Sequence, residues 1–377
     1  EKLMELIDQE ERRILLDQLY DNVLQMDESE LARILGELTT EEQSEMIDQT
    51  EITQQFVIQA PQEEEQQCFE KHGNTYYWKR SPQSFLVTVK PNDEPSAKIY
   101  VDIIQELKRC KIQVLTDPIN AEKFNCVTFS KQKVDLAIVI GGDGSVLYAA
   151  SLFPAQAPPI AVFNSGSMGF LAPFSPDILY QTIQNLINGP LRITQRARMQ
   201  AFVIKSRPRL CQTPLVSVSK SMMNEKSLSK LRSAQQPQMY QTPIGTKVHT
   251  FLNEVYISRG YSNYLTNLQC YMNKLFFGTI QADGLLISTP TGSTAYSLSA
   301  GGVPVQPTVE ALLFTPICPH VMTSKQLVLS DRLQLKVKVA KAARGGAVAS
   351  FDGRGSLELL QGDSLIVQRS QWDLPTI

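Results

Sequence analysis

One carboxylate in this chain stands among glycines, in Gly141-Gly142-Asp143-Gly144 followed by Ser145. Glycines let a backbone approach a phosphate, and a helix N-terminus behind them favours negative charge. Gly141, Gly142, Gly144 and Ser145 are therefore expected to form a phosphate loop. A carboxylate at its centre would repel a phosphate, so Asp143 needs a task of its own. Taking a proton from a hydroxyl, or holding a magnesium ion where a phosphoryl group moves, would supply one. Capping the helix is the plainer alternative, but Ser145 can do that too. Further along, Asn253-Glu254 sets an amide beside a carboxylate, which suits a diol such as ribose. Asp283-Gly284 then leads into Ser288-Thr289-Pro290-Thr291-Gly292-Ser293-Thr294-Ala295-Tyr296-Ser297-Leu298-Ser299-Ala300-Gly301-Gly302. A run so dense in hydroxyls and small residues can hold a polar ligand through amides and side chains. Tyr296 within it can stack on a base or pack an interface.

These groups need elements to position them. Leu136 to Ile140 is a short apolar run bounded by glycines, which reads as a buried parallel strand. Helical spacing follows from Ser145 to Leu152, so the carboxylate sits in a strand–turn–helix unit. Similar runs at Phe85–Val89, Ile112–Leu115 and Pro159–Phe163 alternate with helical patterns at Tyr100–Leu107 and Ile178–Leu186. Alternation of this kind predicts a Rossmann-like α/β domain over 82–190, with ligands at the carboxyl ends of the strands. A second glycine loop, Asn164–Leu171, follows the run at 159–163. From 191 to 377 the pattern is one of strands with few helices, predicting an all-β domain. Residues 207–247, rich in Ser, Gln, Pro and Lys, read as a flexible insertion in it. Ahead of both domains, 1–55 reads as a short acidic α-helical segment and 56–81 as a linker.

Composition narrows the class. The 377 residues are 42% hydrophobic, enough for two domains with ample cores. No apolar run approaches the ~18–20 residues of a membrane span, and no partner membrane is expected. Six cysteines without a CxxC pair predict free thiols of a reducing compartment, and three histidines without paired spacing argue against zinc. The net charge of −2 hides an asymmetry: residues 1–70 carry 4 basic and 20 acidic side chains, and the rest carries 32 and 18. A basic body suits anionic substrates such as nucleotides. No basic stripe interleaved with aromatics points to nucleic acid. The acidic head is expected to be a solvated face, or to dock on the chain's own basic body or on a regulator. The chain opens at Glu1 rather than Met, so its natural N-terminus is expected to have been removed.

Taken together, GGDGS at 141–145, NxGxxGFL at 164–171, NE at 253–254, DG…STPTGSTAYSLSAGG at 283–302, TPICPH at 315–320 and FDGR at 351–354 resemble NAD kinases. The eukaryotic ATP-using branch is the most similar, and the resemblance covers roughly 82–377. GGDG is shared with diacylglycerol and sphingosine kinases and with phosphofructokinases, which lack the STPTGSTAY run. The resemblance implies transfer of the ATP γ-phosphate to the adenosine-ribose 2′-hydroxyl of NAD, with magnesium arriving with ATP and no dedicated protein metal site. It implies Asp143 as catalytic base and Gly144 against the dinucleotide. Phe170 and Leu171 would pack adenine, and Asn253 and Glu254 would bind ribose and phosphate portions. Asp283 would lie near the nicotinamide, and Thr294, Ala295, Tyr296 and Ser299 in the adenylate pocket. A homo-oligomer and a cytoplasmic location are expected. Two rival readings are a lipid or sugar kinase sharing GGDG, and a nucleotide-binding regulator or scaffold with little turnover. The chain departs from the family pattern at Ser145 (commonly Thr), Gln306 (often His), and Val321 and Lys325-Gln326 (usually Ser and Arg-Pro). Relatives continue beyond Ile377, so a C-terminal piece is expected to be missing.

Overall fold

The computed structural model describes residues 68–377, apart from 73–74, 125, 131–132, 167–168, 207–247 and 322–324. The expected acidic helices of 1–55, most of the linker and the insertion lie outside the described residues.

A seven-stranded sheet runs in the order Val127–Thr128, Gln113–Thr116, Ser84–Val89, Leu136–Ile140, Ile160–Phe163, Leu374–Thr376, Thr194–Arg196. Neighbours are parallel throughout, save the final pair. Its central strands, Ser84–Val89, Leu136–Ile140 and Ile160–Phe163, are buried on both faces because both are covered. Phe85, Val87, Leu136, Ile138 and Ile140 pack under the helices Glu94–Arg109 and Leu179–Asn188 through Tyr100, Ile103, Leu107, Ile183 and Leu186. Leu86, Ala137, Val139, Ile160 and Val162 face Val146, Ala149 and Ala150 of the helix Asp143–Ser151. Asp93 caps the first of these helices, accepting from the backbone N–H of Ser96 at 3.0 Å. The strands at 136–140 and 160–163 are parallel neighbours, so the two glycine loops that follow them emerge side by side.

Two six-stranded antiparallel sheets form the second domain. One runs Val248–Phe251, Met199–Ile204, Ser364–Arg369, Leu335–Val339, Thr266–Met272, Leu275–Ala282. The other runs Leu327–Ser330, Ala311–Ile317, Gly284–Ser288, Glu254–Ser258, Ala347–Phe351, Arg354–Leu359. Alternate residues of both, such as Val255, Ile257, Leu285, Ile287, Leu335, Val337 and Val339, meet in one core. This is the period-two pattern of facing sheets.

Two boundaries differ from expectation. The division at residue 190 does not follow the sheets, because Thr194–Arg196 and Leu374–Thr376 join the parallel sheet. Leu374 is fully buried against that sheet's second face, which draws the strand back across the domains. The linker read over 56–81 also contains two strands, Phe69–His72 and Thr75–Trp78, paired with each other and with Leu191–Arg192. Aromatic residues favour strands, and here Trp78 packs against Phe69 with ring centroids 4.1 Å apart and planes tilted by 33°. Its indole N–H donates to the Leu186 carbonyl at 2.9 Å.

Candidate active site

The glycine turn is built by exclusion of side chains. Gly141 has φ +150°, and a Cβ there would overlap Ser145 Oγ. Its N–H donates to the Phe163 carbonyl at 2.9 Å, which fastens the turn to the neighbouring strand. The helix starts at Asp143 with Gly142 as N-cap and no side-chain cap bond. Capping is therefore not the task of either Asp143 or Ser145. Instead the Asp143 carboxylate reaches the second glycine loop, accepting from the N–H groups of Phe170 at 3.2 Å and Leu171 at 3.0 Å. A Cβ at Gly169 would overlap Asp143 Oδ1, so that loop can close on the carboxylate only with glycine there. The two residues expected against adenine part company: Phe170 is 71% exposed, whereas Leu171 is 6% exposed and packs in the core under the sheet.

Leu252 is packed in that same cluster with Val146 and Ala149, which carries the next segment, Asn253-Glu254, to the GGDG helix. The backbone of 252–254 is clamped by Asp352. Its carboxylate accepts from the N–H groups of Leu252 at 2.8 Å, Asn253 at 2.7 Å and Glu254 at 3.2 Å. The side chains are left uncommitted. Asn253 Oδ1, Glu254 Oε2 and Ser288 Oγ are buried with no protein partner. Glu254 and Ser288 are directly opposed in neighbouring strands. Buried polar atoms are rarely left bare, because each costs about 1–3 kcal/mol. These three can accept hydrogen bonds from a ligand. Burial, and then the charge of Asp352, push the Glu254 carboxyl up to about 7.

The hydroxyl-rich run sorts itself by direction. Thr289 Oγ1 donates to the Leu252 carbonyl at 2.5 Å, and the Thr289 N–H to the Asn253 carbonyl at 2.9 Å. A Cβ at Gly292 would overlap that Asn253 carbonyl, so the turn at Thr291–Thr294 lies against the Asn253 backbone. Ser293 and Ser297 are buried and bonded internally. Thr294 and Ala295 are half-buried, and Tyr296 and Ser299 are exposed. Asp283 pairs with Arg259 at 3.0 Å and its charge acts on Tyr256, which meets Tyr296 edge to face at 5.3 Å. Burial, above all, pushes the Tyr256 hydroxyl up to about 12, with the Tyr296 hydrogen bond next.

Gln326, one of the departures, acts as a latch for this run. Its Oε1 accepts from the Val303 N–H at 2.7 Å, and its Nε2 donates to Thr315 Oγ1 at 2.9 Å and Ser297 Oγ at 3.1 Å. Gln326→Ala should lower unfolding free energy by about 1–2 kcal/mol. A denaturant midpoint equal to the wild type's would show the latch to be idle.

Sequence reasoning assigned no role to Arg196, Asp352 or Arg354. Arg196 donates through Nε to Thr376 Oγ1 at 3.0 Å and through Nη1 to Thr291 Oγ1 at 3.4 Å. Burial lowers its pKa, and Asp143 is the one charge acting on it among the described residues. It therefore brings a desolvated cation to the junction of the glycine turn and the hydroxyl run. No local signal marked it, since its partners lie 95 and 180 residues away. Asp352 and Arg354 were visible only as part of a quoted motif. Among the described residues no three His, Cys, Asp or Glu side chains converge on a metal position.

Residues 21–191 match the family described as ATP-NAD kinase N-terminal domain, and 252–377 the ATP-NAD kinase C-terminal domain. A probable NAD kinase 1 of Oryza sativa subsp. japonica is 37% identical over 316 residues, covering 79% of this chain and 54% of the relative. An uncharacterized kinase of Schizosaccharomyces pombe is 32% identical over 332 residues, covering 86% and 75%. Among solved structures, yeast NADH kinase complexed with NADH superposes with a TM-score of 0.67 at 26% identity, covering 82% of this chain and 88% of that one. The chain thus spans about half the length of the first curated relatives it matches. With both of its domains matched in order and the GGDG and Asn-Glu segments packed on one core, the chain belongs to the ATP-NAD kinase family.

Proposed function

We propose that this chain is an ATP-dependent NAD kinase, moving the ATP γ-phosphoryl group to the adenosine-ribose 2′-hydroxyl of NAD. The observation that carries the reading is the set of bare buried atoms, Asn253 Oδ1, Glu254 Oε2 and Ser288 Oγ, in a segment whose Leu252 packs on Val146 and Ala149 of the helix that Asp143 opens. Ribose hydroxyls supply the hydrogen bonds that these atoms lack. Asp143 keeps lone pairs beyond the two that accept Phe170 and Leu171, so it can take the 2′-hydroxyl proton. The hydroxyl oxygen bonds to the γ-phosphorus as the bond to ADP breaks. Arg196 offers positive charge on the same side. Phosphoryl transfer asks the protein chiefly for positioning and charge. Magnesium would arrive on the ATP phosphates; among the described residues no three His, Cys, Asp or Glu side chains converge to hold it as a separate protein site. Bound there, the ion would offset charge on the phosphates. A homo-oligomer completes the reading.

The direct test is an NADP-formation assay with ATP, magnesium and NAD, repeated with NADH. The NADH complex of the yeast neighbour is the reason for the second acceptor. Turnover with either supports the reading and identifies the acceptor. Nucleotide binding without NADP or NADPH would overturn it in favour of a regulatory scaffold.

A further inference from the structure

The turn Phe351-Asp352-Gly353-Arg354 has no part in the chemistry above, yet it touches both halves of the site. It joins the strands Ala347–Phe351 and Arg354–Leu359. Its central residues, Asp352 and Gly353, have φ of +50° and +66°. Positive φ at both centres is the hairpin turn that fits the strand twist and suits Asp-Gly. From this short turn two side chains leave for different loops. Asp352 accepts the three consecutive N–H groups of Leu252, Asn253 and Glu254, and its own N–H donates to the Glu254 carbonyl at 2.9 Å. Arg354 donates to the Gly144 carbonyl at 3.1 Å, the Leu147 carbonyl at 3.2 Å and Ser151 Oγ at 2.9 Å. Its guanidinium lies over the Tyr148 ring, 5.3 Å from the centroid. Gly144 is the residue after Asp143.

We propose that Asp352 and Arg354 are positioning residues for phosphoryl transfer, a single bracket that registers the Asn253-Glu254 segment on the helix carrying Asp143. The inference rests on the kinase reading above. In-line attack tolerates little displacement, and a shift of about 1 Å can lower rate about 10²-fold. A planar, five-donor guanidinium spans three acceptors and a ring face, whereas an ammonium cannot reproduce that fork. Burial lowers the Arg354 pKa, and the charge of Asp352 opposes this, so the two ends of the bracket also support each other electrostatically.

The test compares Arg354→Lys and Arg354→Met with the full chain by steady-state kinetics, thermal melts and the ratio of ADP to NADP formed. The expected result is a fall in kcat of about thirtyfold for Lys and more for Met, with both KM values within about threefold. The ADP:NADP ratio should rise above one. Where the 2′-hydroxyl is out of line, water attacks the γ-phosphorus instead, giving ADP and inorganic phosphate and releasing a proton. A purely structural arginine would lower the melting temperature and leave that ratio at one. Unchanged kcat with a ratio of one, or a loss confined to KM, overturns the proposal. Should Arg354→Met not fold, Ser151→Ala removes one acceptor of Arg354 and, besides it, the Ser151 Oγ bond to the Tyr148 carbonyl within the same helix. A kcat about threefold lower with a raised ratio then supports the bracket, and wild-type values overturn it. A wild-type chain that makes no NADP sinks the kinase reading and this inference together. A wild-type chain that makes NADP, with indistinguishable variants, sinks this inference alone.

Discussion

Asp143→Asn should fold as the wild type does and lose about 10³-fold in NADP formation, in the middle of the range for general-base catalysis. The structure explains why the fold survives. Of the two N–H groups on the carboxylate, that of Phe170 lies at an exposed position and can turn to water, while that of Leu171 is part-buried. The asparagine oxygen can take the Leu171 N–H, so the local cost is about one neutral hydrogen bond, roughly 1 kcal/mol. Proton acceptance is lost outright. Substrate affinity should hold, because Asp143 repels phosphate and its removal leaves Arg196 uncompensated. The signature is a collapse of kcat, with KM for ATP equal to or below that of the wild type. Steady-state kinetics and a thermal melt on the same sample check it. An asparagine variant within tenfold of wild-type turnover would remove the base assignment.

The chemistry was most legible where it is local. Asp143 among three glycines, at the end of a fully apolar run, declares a strand, a tight turn and a helix start within a few residues. Successive strand runs with few helices between them likewise announced an all-β domain. What stayed hidden depends on residues far apart. Asn253 and Asp352 are separated by 99 positions, and Gly144 and Arg354 by 210. No periodicity carries such distances. Leu171 shows the limit within a motif: beside an exposed Phe170 it turns into the core, so the two share a sequence signature and not an environment. The same limit applies to hydroxyls. Thr289, Ser293 and Ser297 spend theirs on holding the run in shape, while Thr294 and Ser299 do not share that burial. Composition counts hydroxyls without saying which face they take.

Glu254→Gln should make the protein's stability less dependent on pH, and by a predictable sign. The wild-type carboxyl titrates at about 7 in the folded chain, against 4.5 for an ordinary glutamate. Below pH 4.5 it is protonated in both folded and unfolded states and contributes no difference. Between 4.5 and 7 the unfolded chain gives up the proton while the folded chain keeps it, so stability falls as pH rises. Above 7 the folded chain holds a desolvated carboxylate close to Asp352, at a cost of about 3 kcal/mol. Glutamine never ionises. The difference in unfolding free energy between variant and wild type should therefore grow by about 3 kcal/mol from pH 4.5 to 8 and then level. Constant packing differences cancel in that comparison. Urea unfolding at several pH values measures it, and a pH-independent difference would show that Glu254 is not the buried acid described. The same group links stability to ligand. A ribose hydroxyl donated to Glu254 Oε2 favours the charged form and lowers its pKa. Acceptor binding near pH 6.5 should then release a proton from the wild type and none from Glu254→Gln, as calorimetry in buffers of different ionisation enthalpy can read. That release would show the bare buried oxygen to be the ribose contact, since a merely unsatisfied carboxylate has no reason to titrate with the ligand.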